Sequence, residues 1–383
     1  MKKTIPSASP AAVGYWNRIT PFKYTNPQTE IWLYQDKKKT LSYKVETTLG
    51  KPIDILALKS NMVSNYGLKV KQMQNSRKKL FKKERLERIT HCPICKNKAK
   101  GLPAIFKVYG AEYIQCQNCT HCFVKNRLTD ESLKKFYAQD TAYQSTYADP
   151  KTTETRLKQV ALPKAEWVIK QFQKIYGRKP KGILDIGAGS GHFVKACKNL
   201  GLRAEGLELS RNGKDFCKQN FGFELLNQDF LNTKVPLKNY EIITFWGLIE
   251  HVPEPMQMLK KAASLLKGKK GLVISSVPNW YSFSTAVQKA FSASIIRHLE
   301  PLAHINCFTD SSLATAYLKN GLYPAAAWYF GMDAYELVTQ TAYFLKNNSI
   351  LDKMSPTLPI WQACFDQARL SDELVLAGKT KLL

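Results

Sequence analysis

The stretch Gly182-Ile183-Leu184-Asp185-Ile186-Gly187-Ala188-Gly189-Ser190-Gly191-His192-Phe193 decides how this chain is read. A short apolar run carrying an acid leads into three glycines at alternate positions. An amphipathic segment follows, with Phe193, Val194, Ala196, Cys197 and Leu200 on its apolar side, and ends at Gly201. The pattern predicts a buried parallel strand, a tight turn and a helix with a glycine stop. Glycine lets such a turn take positive φ and lets a ligand approach the backbone closely. The helix N-terminus behind it offers free N–H groups and a partial positive charge.

Two ligand classes use such a turn. A dinucleotide site needs G-x-G-x-x-G/A, whose third small residue packs helix on strand. Here that position is His192. The spacing is instead G-x-G-x-G, with an acid two residues ahead of the first glycine. It resembles motif I of the class I S-adenosylmethionine-dependent methyltransferases, and the likeness covers residues 181 to about 331. The resemblance implies an α/β fold built on a doubly wound, seven-stranded Rossmann-like sheet. It implies S-adenosylmethionine as cofactor, held by Asp185, Gly187, Ala188, Gly189 and Gly191. Arg203 to Ser210 reads as a second strand ending in an acid. By resemblance Glu208 holds the adenosine ribose, with Leu209 beside it. A carboxylate suits a ribose diol because it accepts two hydroxyl hydrogens at once. The plainer alternative is a solvated acid at a strand end. Phe223 to Leu226 reads as a third strand, and the resemblance gives Asp229 to the adenine amino group and Phe230 to its ring. Asp229 also fits an ordinary turn. Tyr240 to Trp246, which carries Phe245 as a further cofactor contact, and Gly271 to Val277 are the next two strands. Tyr323 to Tyr329 and Glu373 to Gly378 complete the set.

The chain has 383 residues, enough for two or three domains, and its 44% hydrophobic content suits a sizeable core. No apolar run approaches the ~20 residues that span a bilayer. The start Met1-Lys2-Lys3-Thr4-Ile5-Pro6 lacks the apolar stretch of a signal peptide, so a cytoplasmic address is expected. Net charge is +27. Residues 1–91 alone hold 19 Lys/Arg against 6 Asp/Glu. That asymmetry fits RNA, anionic lipid or an acidic polymer as partner, and equally a solvated basic surface.

Residues 1–91 read as a basic α+β N-terminal extension. Glu30 to Tyr34 and Leu41 to Thr47 are expected as strands, Pro52 to Val63 as a helix, and Leu68 to Ile89 as a basic helix. Cys92-x-x-Cys95, 20 intervening residues and Cys116-x-x-Cys119 follow. Each C-x-x-C knuckle points two thiolates at one ion, and this spacing predicts a tetrahedral structural zinc in a ribbon over 92–124. His91, His121 and Cys122 flank the knuckles. Nine cysteines, an odd number, fit metal ligation better than disulfides. A helical linker over 125–180 holds Leu133 to Tyr137, Tyr143 and Tyr147, and a helix from Ala165 to Tyr176. A ribbon, an L-x-x-F-Y helix and spaced tyrosines ahead of the glycine turn resemble a bacterial group of methyltransferases. That likeness implies surface-polysaccharide or antibiotic-sugar pathways.

Within 181–383, Glu250-His251-Val252-Pro253-Glu254-Pro255 resembles the family's E-H-V-x-x-P segment. It lies just past the carboxyl end of a strand, where open parallel sheets bind ligands. His251 is there as a base or as an ordering cap for the next helix. The insertion at 280–303 has apolar residues at helical spacing and reads as a lid, a packed helix or a membrane-surface helix. His304, Phe308 and Thr309 resemble a His-x-x-x-Phe-Ser/Thr segment of ribbon-bearing sugar methyltransferases, which makes His304 the first choice of base. Those sugar C-methyltransferases carry a tyrosine where this chain has Pro301, which favours an oxygen acceptor. The rivals are an RNA methyltransferase, a sugar C-methyltransferase and a cofactor-binding scaffold without catalysis. The residues are silent on oligomeric state.

Overall fold

The computed structural model describes residues 3–5, 15–20, 25–36, 40–51, 53–56, 58, 66–83, 85–133, 150–233, 240–266, 268, 270–293 and 297–380. Residues before 50 form an antiparallel meander of β1 (Lys3–Ile5), β2 (Trp16–Thr20), β3 (Gln28–Gln35) and β4 (Thr40–Leu49). The helix Tyr66–Lys83 follows. The cysteine segment and its flanks hold β5 (Leu86–Arg88), β6 (Phe106–Val108), β7 (Ala111–Gln115), β8 (Cys122–Val124) and β9 (Asn126–Leu128). Beyond them come β10 (Gly182–Ile186), β11 (Arg203–Leu207), β12 (Ile242–Trp246), β13 (Leu272–Pro278), β14 (Asn306–Cys307), β15 (Leu322–Phe330) and β16 (Glu373–Thr380).

The principal sheet is ordered β1-β2-β3-β4-β15-β16-β13-β12-β10-β11, so it has ten strands where seven are expected. Strands β11, β10, β12 and β13 are parallel, and β16 runs antiparallel between β13 and β15. The fully buried run Ile183-Leu184-Asp185 explains the parallel centre, because strands covered on both faces carry no polar alternation. Helices cover both faces. Met258, Leu259, Leu313 and Tyr317 pack on one side, and Ala165, Val168, Phe172, Val194 and Cys197 on the other. The expected third strand shrinks to a bridge between Leu207 and Leu226. Phe223 and Leu225 pack inward there, and Glu224 is exposed and tied to Lys218.

The added strands come from the N-terminus. β4 pairs in parallel with β15, from Ala326↔Glu46 to Tyr329↔Leu49. The segment read as a basic extension therefore continues the sheet of the glycine turn. Trp16 donates to Thr315 at 3.1 Å, and Trp167 donates to Thr48 at 3.0 Å. The helix of the 280–303 insertion spans Phe283–Ala290, with Ser284, Thr285, Val287 and Gln288 buried and the helix Asp333–Phe344 against it. Ile295 and Ile296 lie outside the described residues, as do most of 52–63, Phe136 and Tyr137 of the L-x-x-F-Y segment, Tyr143 and Tyr147. Among the described residues no helix is long and apolar enough to cross a membrane.

One buried acid holds the added strands to the rest. Glu30 is inaccessible to solvent and accepts from Trp32 at 2.9 Å, Thr47 at 2.9 Å and Gln28 at 3.1 Å, and from Arg369 across the fold. Burial pushes its pKa up, but the guanidinium groups of Arg18 and Arg369 outweigh burial and hold it below the ordinary value. Arg18 also donates to Asp310 at 2.6 Å. Glu30→Gln is expected to cost roughly 3–5 kcal/mol in urea unfolding, since it strands buried guanidinium charge. The folded pKa of Glu30 is depressed, so its contribution is present above the unfolded pKa and is lost as pH falls through the folded one. The difference between wild type and variant should therefore narrow only in acid.

Candidate functional site

The site lies at the carboxyl end of β10 and β12. Gly187, Gly189 and Gly191 have φ of 71°, 54° and 78°, a left-handed path that other residues enter only at a cost. A Cβ on Gly191 would also stand 2.5 Å from the Cys217 sulfur. Gly187 and Ala188 both donate to the Leu207 carbonyl at 2.9 Å, which pins the turn to the end of β11. Behind it the helix His192–Asn199 begins. His192 stacks at 5.6 Å on Phe216 and meets Phe221 edge-on at 5.1 Å, which accounts for a ring where a dinucleotide motif needs a small residue.

Asp185 is buried and accepts from the Thr244 hydroxyl at 2.7 Å. Thr244 stands opposite it in the β10–β12 register. Burial pushes the Asp185 pKa up to about 7. Glu208 follows β11, and its two oxygens accept from Gly189 N–H at 2.7 Å and Ser210 N–H at 2.6 Å. The second acid thus sits on the glycine turn 19 residues before it in the chain. Leu209 beside it is 62% exposed, a large apolar side chain at the rim. Asp229 is exposed and accepts from Leu231 N–H at 2.9 Å and the Asn232 amide at 2.6 Å, so its carboxylate also orders its own turn. Phe230 and Phe245 are buried and meet edge-on at 5.8 Å, forming the floor of this region rather than its open wall.

The three polar residues past β12 come together. Glu250, His251 and His304 offer ligand or proton-accepting atoms within 4.8 Å of one another. Glu250 is 2% exposed, and its Oε2 is buried without a hydrogen-bond partner among the described residues. Burial pushes its pKa well up. His251 Nδ1 lies 2.9 Å from the Ala303 carbonyl, and His304 Nδ1 lies 3.2 Å from the His298 carbonyl. The two rings are 4.9 Å apart. Burial holds His251 down to about 4, and burial with the neighbouring histidines holds His304 well below its usual value. Burial thus favours the neutral form of both rings, which can accept a proton, while the same shift lowers the basicity of each. His304 keeps more solvent contact than His251.

The cysteine segment reaches this cluster. β6, β7 and β8 form an antiparallel sheet, and β14, directly after His304, pairs with β8. Cys92, Cys95, Cys116 and Cys119 converge, with sulfur separations of 3.6 Å for Cys92 to Cys119 and 3.4 Å for Cys95 to Cys116. A tetrahedral ion with metal–sulfur bonds of ~2.3 Å needs edges of about 3.8 Å, so the thiols fit one. The flanking residues turn elsewhere. His121 is buried between Asn306 at 3.1 Å and Ser312 at 3.4 Å, and Cys122 faces Cys307 across the β8–β14 pair. Sequence reasoning left Asn306, Lys51, Lys164 and Glu373 unassigned. Each comes from a different stretch, and no local spacing marks them.

Residues 157–326 match the family model described as a methyltransferase domain. This part of the chain is similar to methyltransferase domains. The ubiquinone biosynthesis O-methyltransferase of Coxiella burnetii is 30% identical over 114 residues, 28% of this chain and 49% of that protein. The protein of the same description from Bradyrhizobium diazoefficiens is 29% identical over 142 residues, 36% of this chain and 55% of that protein. The chain spans about half the length of these relatives. Among solved structures, magnesium protoporphyrin IX methyltransferase of Synechocystis with bound SAH gives a TM-score of 0.43 at 11% identity, covering 66% of this chain and all of that one. The matched stretch leaves out β1–β4, the cysteine segment and β16.

Gly213 tests the geometry of the turn. It lies in the helix Arg211–Phe221, and a Cβ there would stand 2.5 Å from the Gly189 carbonyl oxygen. Gly213→Ala should push the turn away from Glu208 and cost roughly 1–3 kcal/mol in thermal or urea unfolding. Unchanged stability would mean that the turn and this helix do not touch as described.

Proposed function

We propose that the protein is an S-adenosylmethionine-dependent methyltransferase acting on a small-molecule acceptor, with a saccharide hydroxyl as the favoured target. The observation that carries the reading is the position of Glu208, whose carboxylate is fixed on the Gly189 turn at the same sheet edge as the neutral histidine pair. The residues fit the cofactor. The glycine turn leaves open backbone at Gly189, where among the described residues no atom beyond its chain neighbours lies within 4 Å of where a Cβ would stand. Glu208 has lone pairs left for ribose hydroxyls beyond its two backbone donors, and Leu209 is placed to cover an adenine. Asp229, Phe230 and Phe245 belong to the adenine end on the family pattern.

When bound, S-adenosylmethionine supplies a sulfonium methyl for in-line displacement. The chain itself positions and deprotonates the acceptor. His304, the more open histidine, takes the hydroxyl proton. His251, fixed by the Ala303 carbonyl, and Glu250 orient it. A hydroxyl acceptor needs such a base, whereas a neutral amine does not. Cell-surface polysaccharide or secondary-metabolite synthesis is the setting that the ribbon and the E-H-V segment suggest. The four cysteines are proposed to hold a structural zinc; four thiolates close its coordination and leave it no catalytic position. A second reading, RNA as acceptor, rests on the charge of residues 1–91, which would equally serve an anionic polymer or membrane surface. A cytoplasmic location goes with either.

Three measurements test this. Calorimetry should show S-adenosylmethionine binding that Glu208→Ala weakens by roughly 1.5–3 kcal/mol; no binding by the wild type would sink the reading. His304→Ala should slow turnover by roughly 10²–10⁴-fold with cofactor affinity intact, and labelled methyl should reach sugar nucleotides or glycans. Label in RNA alone would select the second reading. Metal analysis should find about one zinc per chain, lost on Cys95→Ser together with stability.

A further inference from the structure

Two ammonium groups stand on the carboxyl edge of the sheet, each over an aromatic ring. Lys51 follows β4, and its Nζ lies 4.3 Å from the centroid of the Phe330 ring. Lys164 projects from the helix Leu162–Tyr176, and its Nζ lies 4.4 Å from the Trp246 centroid. Both side chains are partly buried, and among the described residues neither ammonium has a hydrogen bond or an ion pair. They are set in place from below. Gly50 N–H donates to the Tyr329 carbonyl at 2.7 Å, and Trp328 Nε1 donates to the Gly50 carbonyl at 2.8 Å. Trp167, one helical turn after Lys164, stacks on Trp328 at 5.5 Å. The same residue donates to Thr48 at 3.0 Å, so the two lysines are carried by one packed unit.

The strand register places them beside the site. Phe330 pairs with Glu373, Glu373 with Pro278, and Trp246 with Ser276. Lys51 and Lys164 therefore flank Glu373 across β15, β16, β13 and β12. The Glu373 carboxylate takes the Ser276 hydroxyl and neither ammonium. Trp246 also packs on Phe193 of the glycine-turn helix at 5.2 Å, and among the described residues its buried indole N–H has no hydrogen-bond partner. Lysine ammonium groups shed water reluctantly, and two of them side by side repel. Burial, then the charge of Lys164, brings Lys51 down to about 7, while Glu373 and Asp372 pull it the other way. Glu373 between them offsets part of that cost, as do Asp185 and Glu250 for Lys164, yet burial still outweighs these charges at both lysines, and a bound anion would offset it further.

We propose that Lys51 and Lys164 form a subsite for a carboxylate or phosphate at the mouth of the methyltransferase site, so that the N-terminal strands supply part of that site. The anion has two possible sources: the carboxylate of the cofactor's amino-acid end, or an acidic group on the acceptor. The first source rests on the reading of the glycine turn as an S-adenosylmethionine site; the second does not.

The experiment uses the full chain as wild type, Lys51→Met, Lys164→Met and Lys51→Arg. S-adenosylhomocysteine and 5′-methylthioadenosine, which lacks the amino-acid end, are titrated by calorimetry. Inorganic phosphate and pyrophosphate are added in thermal unfolding. If the cofactor carboxylate fills the subsite, each Met variant loses about tenfold or more in S-adenosylhomocysteine affinity, methylthioadenosine binds unchanged, and Lys51→Arg retains most of the affinity. If an acceptor acid fills it, S-adenosylhomocysteine binding stays within about twofold, and stabilisation of the wild type by phosphate or pyrophosphate disappears in both Met variants. Unchanged nucleoside binding together with equal anion stabilisation, or none, in wild type and Met variants overturns the proposal. A wild type that binds no nucleoside but loses its anion stabilisation on Lys51→Met would reject the cofactor reading and keep the subsite.

Discussion

Asn306 joins the cysteine segment to the methyltransferase domain. Its side-chain oxygen lies 3.1 Å from His121 Nε2, its amide donates to the Val252 carbonyl at 2.8 Å, and its backbone N–H donates to the Glu250 carbonyl at 3.0 Å. One side chain thus bridges the second cysteine knuckle, the Glu250-His251 loop and the strand that follows His304. His121, Asn306 and Glu250 are buried, so the bonds between them are made where an unmade one would be costly. Thr120 adds a hydroxyl contact to Thr309 at 2.7 Å, next to the capping box that starts the helix Asp310–Lys319. The four-cysteine segment, far from the glycine turn in sequence, is thereby held against the loops that carry His251 and His304.

The principal sheet imposes the second constraint. A sheet that ended at β15 would leave that strand's edge open and Trp328 and Tyr329 uncovered on the N-terminal side. β4 closes that edge in parallel and carries the chain onward to Lys51, beside the site. Glu30 and Arg18 lock the closure by charge, and Trp16 and Trp167 by shape and hydrogen bonding. The excess of basic residues before position 91 includes buried structural members such as Arg18, so net charge overstates the surface free for polyanions.

Much was legible in the sequence because its causes are local. The apolar run ending in Asp185, the alternate glycines and the acid of Glu208 follow from steric and hydrogen-bonding needs within about 25 residues. The strands of the methyltransferase domain fall within a few residues of their expected places, the third excepted, since β11 carries its register only as far as Leu226. The convergence of four thiols follows from two knuckles of fixed geometry.

What only tertiary structure decided is long-range. Parallel pairing of β4 with β15 joins residues about 280 apart, and nothing in either strand names its partner. The pairing of β14 with β8 and the bridging role of His121, which from spacing is merely a neighbour of the knuckle, arise the same way. The meeting of Glu250, His251 and His304, and of Lys51 with Lys164, depends on where separate strands end in one sheet. Local chemistry chose the residues; burial, strand order and register chose their neighbours.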